Sequence, residues 1–158
     1  MRSTRIPKGI SKLVDTRSSA EKALLVGITQ KNRQEQWRLD DSLDELGQLA
    51  ITAGAEVVGS STQAVPTAQP TYIGRGKLQE IVDLNTKMHF DTLIADDELN
   101  PAQQRTLERA FNEKVKVIDR TALILDVFAK HATTREGRLQ VELAQLNHLS
   151  TRLVRGWT

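Results

Sequence analysis

Residues 91–131, DTLIADDELNPAQQRTLERAFNEKVKVIDRTALILDVFAKH, decide the fold of this chain. The short apolar runs at 91–95 and 115–118 have the length and composition of buried strands. Between them, Asn100 is typical of a helix cap, because a proline in the first helical position and a glutamine three residues on follow it. A further helix is predicted over 121–131. The order strand, helix, strand, helix indicates parallel strands joined by crossover helices.

The same alternation is present upstream. Residues 23–29 and 56–61 predict two more strands, and the segment between them predicts a helix that ends at Gly54. Apolar residues at steps of four and three form one face of that helix: Leu39, Leu43, Leu46, Ala50 and Ala53. Another helix begins near Leu78. The chain is therefore predicted to be α/β, a four-stranded parallel sheet with helices on both faces.

A long helix follows the α/β pattern, beginning at Arg135 and not followed by a strand. Its stripe repeats at steps of four, three, three and four: Leu139, Leu143, Leu146, Leu149 and Leu153. Such a stripe needs an apolar partner. We expect the first arm of a helical hairpin whose second helix is missing; the alternative is a helix folded back on the sheet.

Composition and charge divide the chain into three parts. We predict a flexible basic arm over 1–22 with net charge +4, an α/β domain over 23–132 with −4, and the long helix over 133–158 with +2. The two basic ends of the chain are better placed to bind nucleic acid than the mildly acidic segment between them. The alternative is that these small surpluses are ordinary solvated surface.

Several classes of protein are disfavoured. The absence of cysteine excludes a disulfide scaffold and a thiolate metal site. Three dispersed histidines predict no metal site: His89, His131 and His148. No apolar run approaches the ~20 residues that span a membrane, and no signal peptide is visible. We expect a cytoplasmic protein.

Residues 72–77 (YIGRGK), here called the glycine loop, are the best candidate binding element. They end a connection, 63–76, of a length that is usually functional. Gly74 and Gly76 permit close approach of a ligand to the backbone, Arg75 and Lys77 add positive charge, and a helix N-terminus follows. The loop is not a Walker A motif, which needs another glycine and a Ser or Thr. The alternative is a glycine turn with two solvated cations.

Acidic residues follow the predicted third and fourth strands. Asp96, Asp97 and Glu98 could hold Mg²⁺ or act as acid and base at the carboxyl ends of the strands, or could simply precede a helix. Asp119 and Arg120 could pair with each other or orient the neighbouring loop. No nucleophile elbow and no complete catalytic set is visible, so no catalytic residue is predicted.

Several linked motifs resemble the N-terminal domain of the HflX-type GTPases. They are Tyr72–Lys77, DELNP at 97–101, VIDRT at 117–121, LILD at 123–126, TREG at 134–137 and LQVELAQL at 139–146. The resemblance covers about residues 23–157. It implies a ribosome-associated GTPase in which an α/β domain, a two-helix hairpin and a P-loop GTPase domain follow one another.

The resemblance also implies a function and partners. The expected function is binding of the large ribosomal subunit and its rRNA, within a parent protein that binds and hydrolyses GTP with Mg²⁺ and splits or rescues ribosomes. This chain has no P-loop, so we expect neither GTP hydrolysis nor a bound cofactor or metal in it alone. The parent's own GTPase domain is a further expected partner, and the exposed helix allows a dimer.

The candidate RNA contacts are the glycine loop and four arginines of the long helix: Tyr72, Gly74, Arg75, Gly76, Lys77, Arg135, Arg138, Arg152 and Arg155. His148 and Ser150 depart from the family pattern, which commonly has a tyrosine and a proline-containing Leu-Pro-Arg-Leu there. Two alternatives remain open: a nucleotide- or phosphate-binding domain that uses the glycine loop, and a helix-mediated interaction scaffold.

Overall fold

The computed structural model describes residues 20–29, 33–66 and 69–156. Its strands are β1 (Lys22–Thr29), β2 (Glu56–Ala64), β3 (Thr92–Ala95) and β4 (Lys116–Asp119). Its helices are α1 (Arg33–Thr52), α2 (Arg75–Met88), α3 (Pro101–Ala110), α4 (Arg120–His131) and α5 (Arg135–Gly156). The predicted α/β class, with a long helix at its end, is confirmed. The predicted arm, up to residue 19, lies outside the described residues.

All three strand pairings are parallel, in the order β2-β1-β3-β4. The central strand β1 pairs with β2 on one side and with β3 on the other, so Val26 lies opposite both Ser61 and Ala95. The strand order reverses between β1 and β3. In open α/β sheets, ligands bind beyond the carboxyl ends of the strands at such a reversal.

Each face of the sheet is covered by two helices. The stripe of α1 packs on one face, where Leu46 is fully buried together with Leu25, Ile94 and Leu123 of α4. On the other face, α2 and α3 bury Ile81, Leu107 and their neighbours against the alternate side chains of the same strands. Successive residues of a strand point to opposite faces, so each buried strand supplies both cores.

Three boundaries differ from the sequence prediction for one physical reason. Helix α1 begins at Arg33, well before the first apolar residue of its stripe. Helix α2 begins at Arg75, within the glycine loop and not near Leu78, and β2 runs past residue 61 to Ala64. These extensions are mostly polar, and Trp37 in the first of them is exposed, so apolar periodicity gives no signal there. They form because the backbone is satisfied by helix or sheet hydrogen bonds. The predicted start at Asn100 is confirmed, with a complete capping box to Gln103.

Helix α5 packs against α4 and α3, while the described leucines of its stripe stay more than half exposed. The stripe residues are 51–60% exposed: Leu139, Leu143, Leu146 and Leu149. The stripe therefore leaves most of its leucine surface exposed, although the helix itself lies against the α/β domain. His148 faces inward instead, with its Nε2 atom 3.5 Å from Oδ1 of buried Asp119. None of the described helices is both long and apolar enough to cross a membrane.

Candidate functional site

The glycine loop lies at the carboxyl edge of the sheet, held by residues from three elements. Gln63, at the end of β2, accepts a hydrogen bond from the Gly74 N–H at 2.7 Å. Asp97, just beyond β3, accepts one from the Tyr72 hydroxyl at 2.6 Å. Gln103 of α3 donates to the backbone carbonyl of Gln69 at 3.1 Å. The loop is therefore anchored to the ends of two strands, and Gln69, to which the Tyr72 N–H donates just before the loop, is anchored to a helix.

Tyr72 combines burial with an unusual backbone conformation. Its φ is +69°, in the left-handed region that bulky residues rarely adopt, and the residue is only 3% exposed. Burial, and after it the hydrogen bond to Asp97, raise the pKa of the Tyr72 hydroxyl far above its ordinary value. The hydroxyl therefore stays protonated and donates to the carboxylate. The surrounding structure stabilises a conformation that the isolated residue would avoid.

The turn into α2 leaves the first backbone N–H groups of that helix without a side-chain cap. Gly74 occupies the N-cap position in an extended conformation and offers no side-chain acceptor. A Cβ at Gly74 would lie 3.0 Å from Nε2 of Gln63, so a side chain there would disturb the anchor. Apart from its chain neighbours and the backbone of its own helix, no described atom lies within 4 Å of the Cβ position of Gly76. The backbone at Gly76 is thus open to close approach.

Two cations project from this turn. Arg75 is exposed, whereas Lys77 is partly buried and lies 3.4 Å from Glu80. A surface ion pair of this kind contributes little to stability, ~1 kcal/mol at most, so Lys77 can exchange that partner for a phosphate. Open N–H groups, the positive end of a helix and two cations together make an anion-binding surface.

The acidic residues beyond β3 are largely engaged within the protein. Asp96 accepts hydrogen bonds from the Ser42 hydroxyl at 2.8 Å and from the Arg120 guanidinium at 2.9 Å. Arg120 also pairs with Glu45 at 2.7 Å. Within the described ranges, no three His, Asp or Glu side chains are grouped as metal ligands.

Asp119 and Arg120 have separate roles. One oxygen of Asp119 accepts from the Ala122 N–H and caps α4, and the other accepts from the Leu99 N–H. Asp119 thereby orients the neighbouring loop, as one of the two sequence interpretations proposed. Arg120 ties α4 to Ser42 and Glu45 of α1, more than 70 residues away in the chain. Sequence reasoning missed that contact because no local pattern encodes it.

A shallow cavity of about 370 Å³ lies where the strand order reverses. Its polar wall contains Thr29, Glu35, Arg38, Ser42 and Asp96. One carboxylate oxygen of Glu35 is buried without a hydrogen-bond partner among the described residues.

Of the arginines predicted as RNA contacts on α5, Arg135 and Arg138 have no described contact with the glycine loop. Arg135 begins α5, and the Arg138 guanidinium donates to the carbonyl of Ala132 at 3.3 Å. The side chains of Arg152 and Arg155 lie outside the described ones. The glycine loop is therefore the better defined candidate.

Family models match both parts of the chain. The model described as GTP-binding GTPase N-terminal matches residues 40–129, and that described as GTP-binding GTPase Middle Region matches 131–158. The GTPase HflX of Lacrimispora saccharolytica is 42% identical over 146 residues, and that of Escherichia coli strain K12 is 44% identical over 149. Each alignment covers 92% of this chain and 33% of the relative. The chain thus spans a third of these curated relatives.

Solved structures show the same fold. A GTP-binding protein from Sulfolobus solfataricus in complex with GDP aligns with a TM-score of 0.62 and 24% identity, covering 85% of this chain and 39% of that one. A G235S variant of the protein named SsGBP aligns with a TM-score of 0.65, again at 24% identity, covering 87% and 42%. At this identity the likeness establishes the arrangement of strands and helices, and no more.

Proposed function

This chain belongs to the HflX family of GTPases, whose N-terminal region it carries, and on that premise we propose that it is a binding module for the large ribosomal subunit. The proposed contact is between the glycine loop and rRNA phosphates. Arg75 and Lys77 would supply charge, and the first N–H groups of α2 would supply hydrogen-bond donors. The arginines of α5 are secondary candidates.

One observation carries the proposal: the glycine loop is anchored from three sides while its ligand-facing atoms remain open. Tyr72 and Gly74 are fixed by hydrogen bonds to Asp97 and Gln63. Gly76 has open space where a Cβ would stand. A pre-positioned, positively charged turn loses little conformational entropy when it binds an extended polyanion.

The parent protein's activity forms the wider part of the proposal. The relatives are named GTPases, and two thirds of their length lies beyond the matched region. This chain contains no Gly-x-x-x-x-Gly-Lys-Ser/Thr motif. We therefore assign binding and hydrolysis of GTP, with Mg²⁺, to a further domain of a parent protein, which would act in the cytoplasm in ribosome splitting or rescue. The module's role would be recognition.

Co-sedimentation with isolated large subunits, at low and at moderate salt, tests the recognition role. We expect saturable binding that weakens with salt and is absent with small subunits. Arg75→Ala with Lys77→Ala should weaken binding and reduce the slope of log affinity against log salt by about 1 to 2, through loss of phosphate contacts.

The matched control is Lys87→Ala with Lys114→Ala. It removes two exposed charges at the opposite edge of the sheet, where α2 ends and β4 is about to begin. If both double variants bind alike, the glycine loop is not the contact. If the unaltered chain binds no large subunits, the recognition role is wrong for this chain.

Gly76→Ala gives a second test, because stability and binding should change in opposite directions. Alanine in the first turn of α2 meets no described atom and should raise the free energy of unfolding by up to about 1 kcal/mol. Its methyl group would hinder phosphate from reaching the backbone, so affinity for the large subunit should fall. A stabilised variant that binds normally would exclude backbone contact at Gly76.

A second candidate function is nucleotide or phosphate binding by the same loop. The anchored turn and the open helix N-terminus favour it, since a free phosphate compound needs the same donors. Calorimetric titration with ATP and GTP separates this function from RNA binding. Heat from either nucleotide that is lost in the Arg75→Ala and Lys77→Ala variant would support it, and silence from both would remove it.

The third candidate is an interaction scaffold built on α5. Four leucines that are more than half exposed favour it: Leu139, Leu143, Leu146 and Leu149. Their occupant would be the second helix of a hairpin in the parent protein, or a second copy of this chain. Sedimentation velocity over a range of concentrations tests whether a second copy binds, since a constant monomer mass excludes the dimer.

A further inference from the structure

We propose that Tyr72 and Asp97 are positioning residues, which fix the glycine loop in the conformation that presents Arg75 and Lys77 to phosphate. The inference rests on the proposed function and deepens it. The two residues come from different parts of the chain, 25 positions apart, and meet in a 2.6 Å hydrogen bond. Neither has to contact the RNA for this role.

The backbone of Tyr72 provides the first reason. A tyrosine with φ of +69° is strained, and relaxation to an ordinary negative φ would redirect every residue that follows it in the loop. The strain persists because the ring is buried and the Tyr72 N–H donates to the Gln69 carbonyl at 3.0 Å. The direction of the loop therefore depends on how well Tyr72 is held.

The hydroxyl of Tyr72 provides the second reason. It extends to Asp97, which lies two residues beyond the end of β3, and β3 is fixed by pairing with β1 and β4. A hydrogen bond to a carboxylate is stronger than one between neutral groups. The hydrogen bond ties the glycine loop, which contains the two flexible residues Gly74 and Gly76, to the rigid central sheet.

The surroundings make the proposal testable without unfolding the chain. Tyr72→Phe keeps the buried ring and loses only the hydroxyl, while Asp97 is exposed and is not left as a buried charge. Ile73 and Leu78 remain buried on either side of the loop. The loop should lose its orientation while the domain stays folded.

Asp97→Ala and Glu98→Ala form a matched pair with opposite expected signs. Both remove one exposed carboxylate from the same turn. Electrostatics alone predicts tighter RNA binding for both variants, because a repulsive charge has gone. Positioning predicts tighter binding for Glu98→Ala but weaker binding for Asp97→Ala, by about tenfold. Equal gains in affinity would overturn the proposal.

The decisive measurement is a double-mutant cycle in the large-subunit co-sedimentation assay. Tyr72→Phe alone should lower affinity by about tenfold. In a chain that already carries Arg75→Ala and Lys77→Ala its further effect should be clearly smaller than tenfold, because only the backbone N–H groups of α2 remain to be positioned. Losses that multiply independently would mean that Tyr72 acts elsewhere, which would refute the positioning role.

Hydrogen exchange gives the structural readout and separates the two levels of failure. In Tyr72→Phe, amides of the glycine loop should exchange faster while those of β1 and β3 are unchanged; unchanged loop exchange would overturn the proposal. If the unaltered chain does not bind large subunits, the proposed function fails and this inference fails with it. If the unaltered chain binds and Tyr72→Phe binds equally well, only this inference fails.

Discussion

Helices α1 and α5 carry nearly the same sequence pattern and use it in opposite ways. They are 20 and 22 residues long, and each bears a leucine stripe at steps of three and four. In α1, Leu46 is fully buried against the sheet, whereas in α5, Leu143 is 60% exposed. Amphipathic periodicity therefore predicts a helix and the face that needs a partner, but it does not tell whether the partner lies in the same domain.

The largest expected effect compares one substitution in the two helices. Leu46→Ala should lower the free energy of unfolding by about 2–5 kcal/mol, because it leaves a cavity in a closed core. Leu143→Ala should change it by no more than about 0.5 kcal/mol, since little apolar surface is lost. Denaturant unfolding measures both. Similar losses would mean that the α5 stripe is covered in solution, by a second copy or otherwise.

A smaller effect probes how closely α1 approaches the sheet. A Cβ at Gly27 in β1 would lie 2.6 Å from Cδ1 of Leu39. Gly27→Ala should destabilise the chain by about 1 kcal/mol, because overpacking exceeds the gain from replacing a strand glycine. Gly47→Ala is the control: its Cβ would meet Leu25 at an ordinary 3.5 Å, and better helix propensity should stabilise it by up to about 1 kcal/mol. If Gly27→Ala and Gly47→Ala both destabilise the chain, α1 packs more closely against the sheet than the structure shows.

The smallest effect on stability is expected for a charge on α5. Leu143→Glu should alter the free energy of unfolding by no more than about 0.5 kcal/mol, since the side chain already meets solvent. The same variant should abolish any concentration-dependent association through the stripe. Analytical ultracentrifugation next to thermal unfolding measures the two together. A large loss of stability without a change in mass would show that the stripe packs within its own chain.

Much of the fold could be predicted because local sequence patterns indicate where strands and helices lie. Apolar runs located all four strands, and Asn100 located the start of α3. The polar first turns of α1 and the end of β2 were missed, because there backbone hydrogen bonds, and not an apolar pattern of side chains, extend the element. The orientation of α5 was open because its inward face is not the leucine stripe but a weakly apolar face that includes Val141, Ala144 and His148, the last beside buried Asp119.

The candidate site could be predicted only in part. Two glycines, two cations and a following helix identified the glycine loop as a turn suited to anions. Its anchors were invisible, because the contacts of Tyr72 with Asp97 and of Gly74 with Gln63 join residues that only the parallel sheet brings together. The ion pairs of Arg120 with Asp96 and Glu45 are of the same kind. Contacts between residues so far apart in the chain leave no periodic pattern in the sequence, so they could not be predicted from it.

The buried hydroxyl of Tyr72 also gives the chain an intrinsic spectroscopic probe. Tyr72 is the only tyrosine among the 158 residues, so ultraviolet absorbance of phenolate reports on the glycine loop alone. Because the pKa of Tyr72 is raised in the folded state, its contribution to stability is complete below about pH 10, the ordinary tyrosine value, and is lost as the pH rises above it. An alkaline titration should therefore show no phenolate until the loop opens, and the first absorbance change should coincide with loss of its structure.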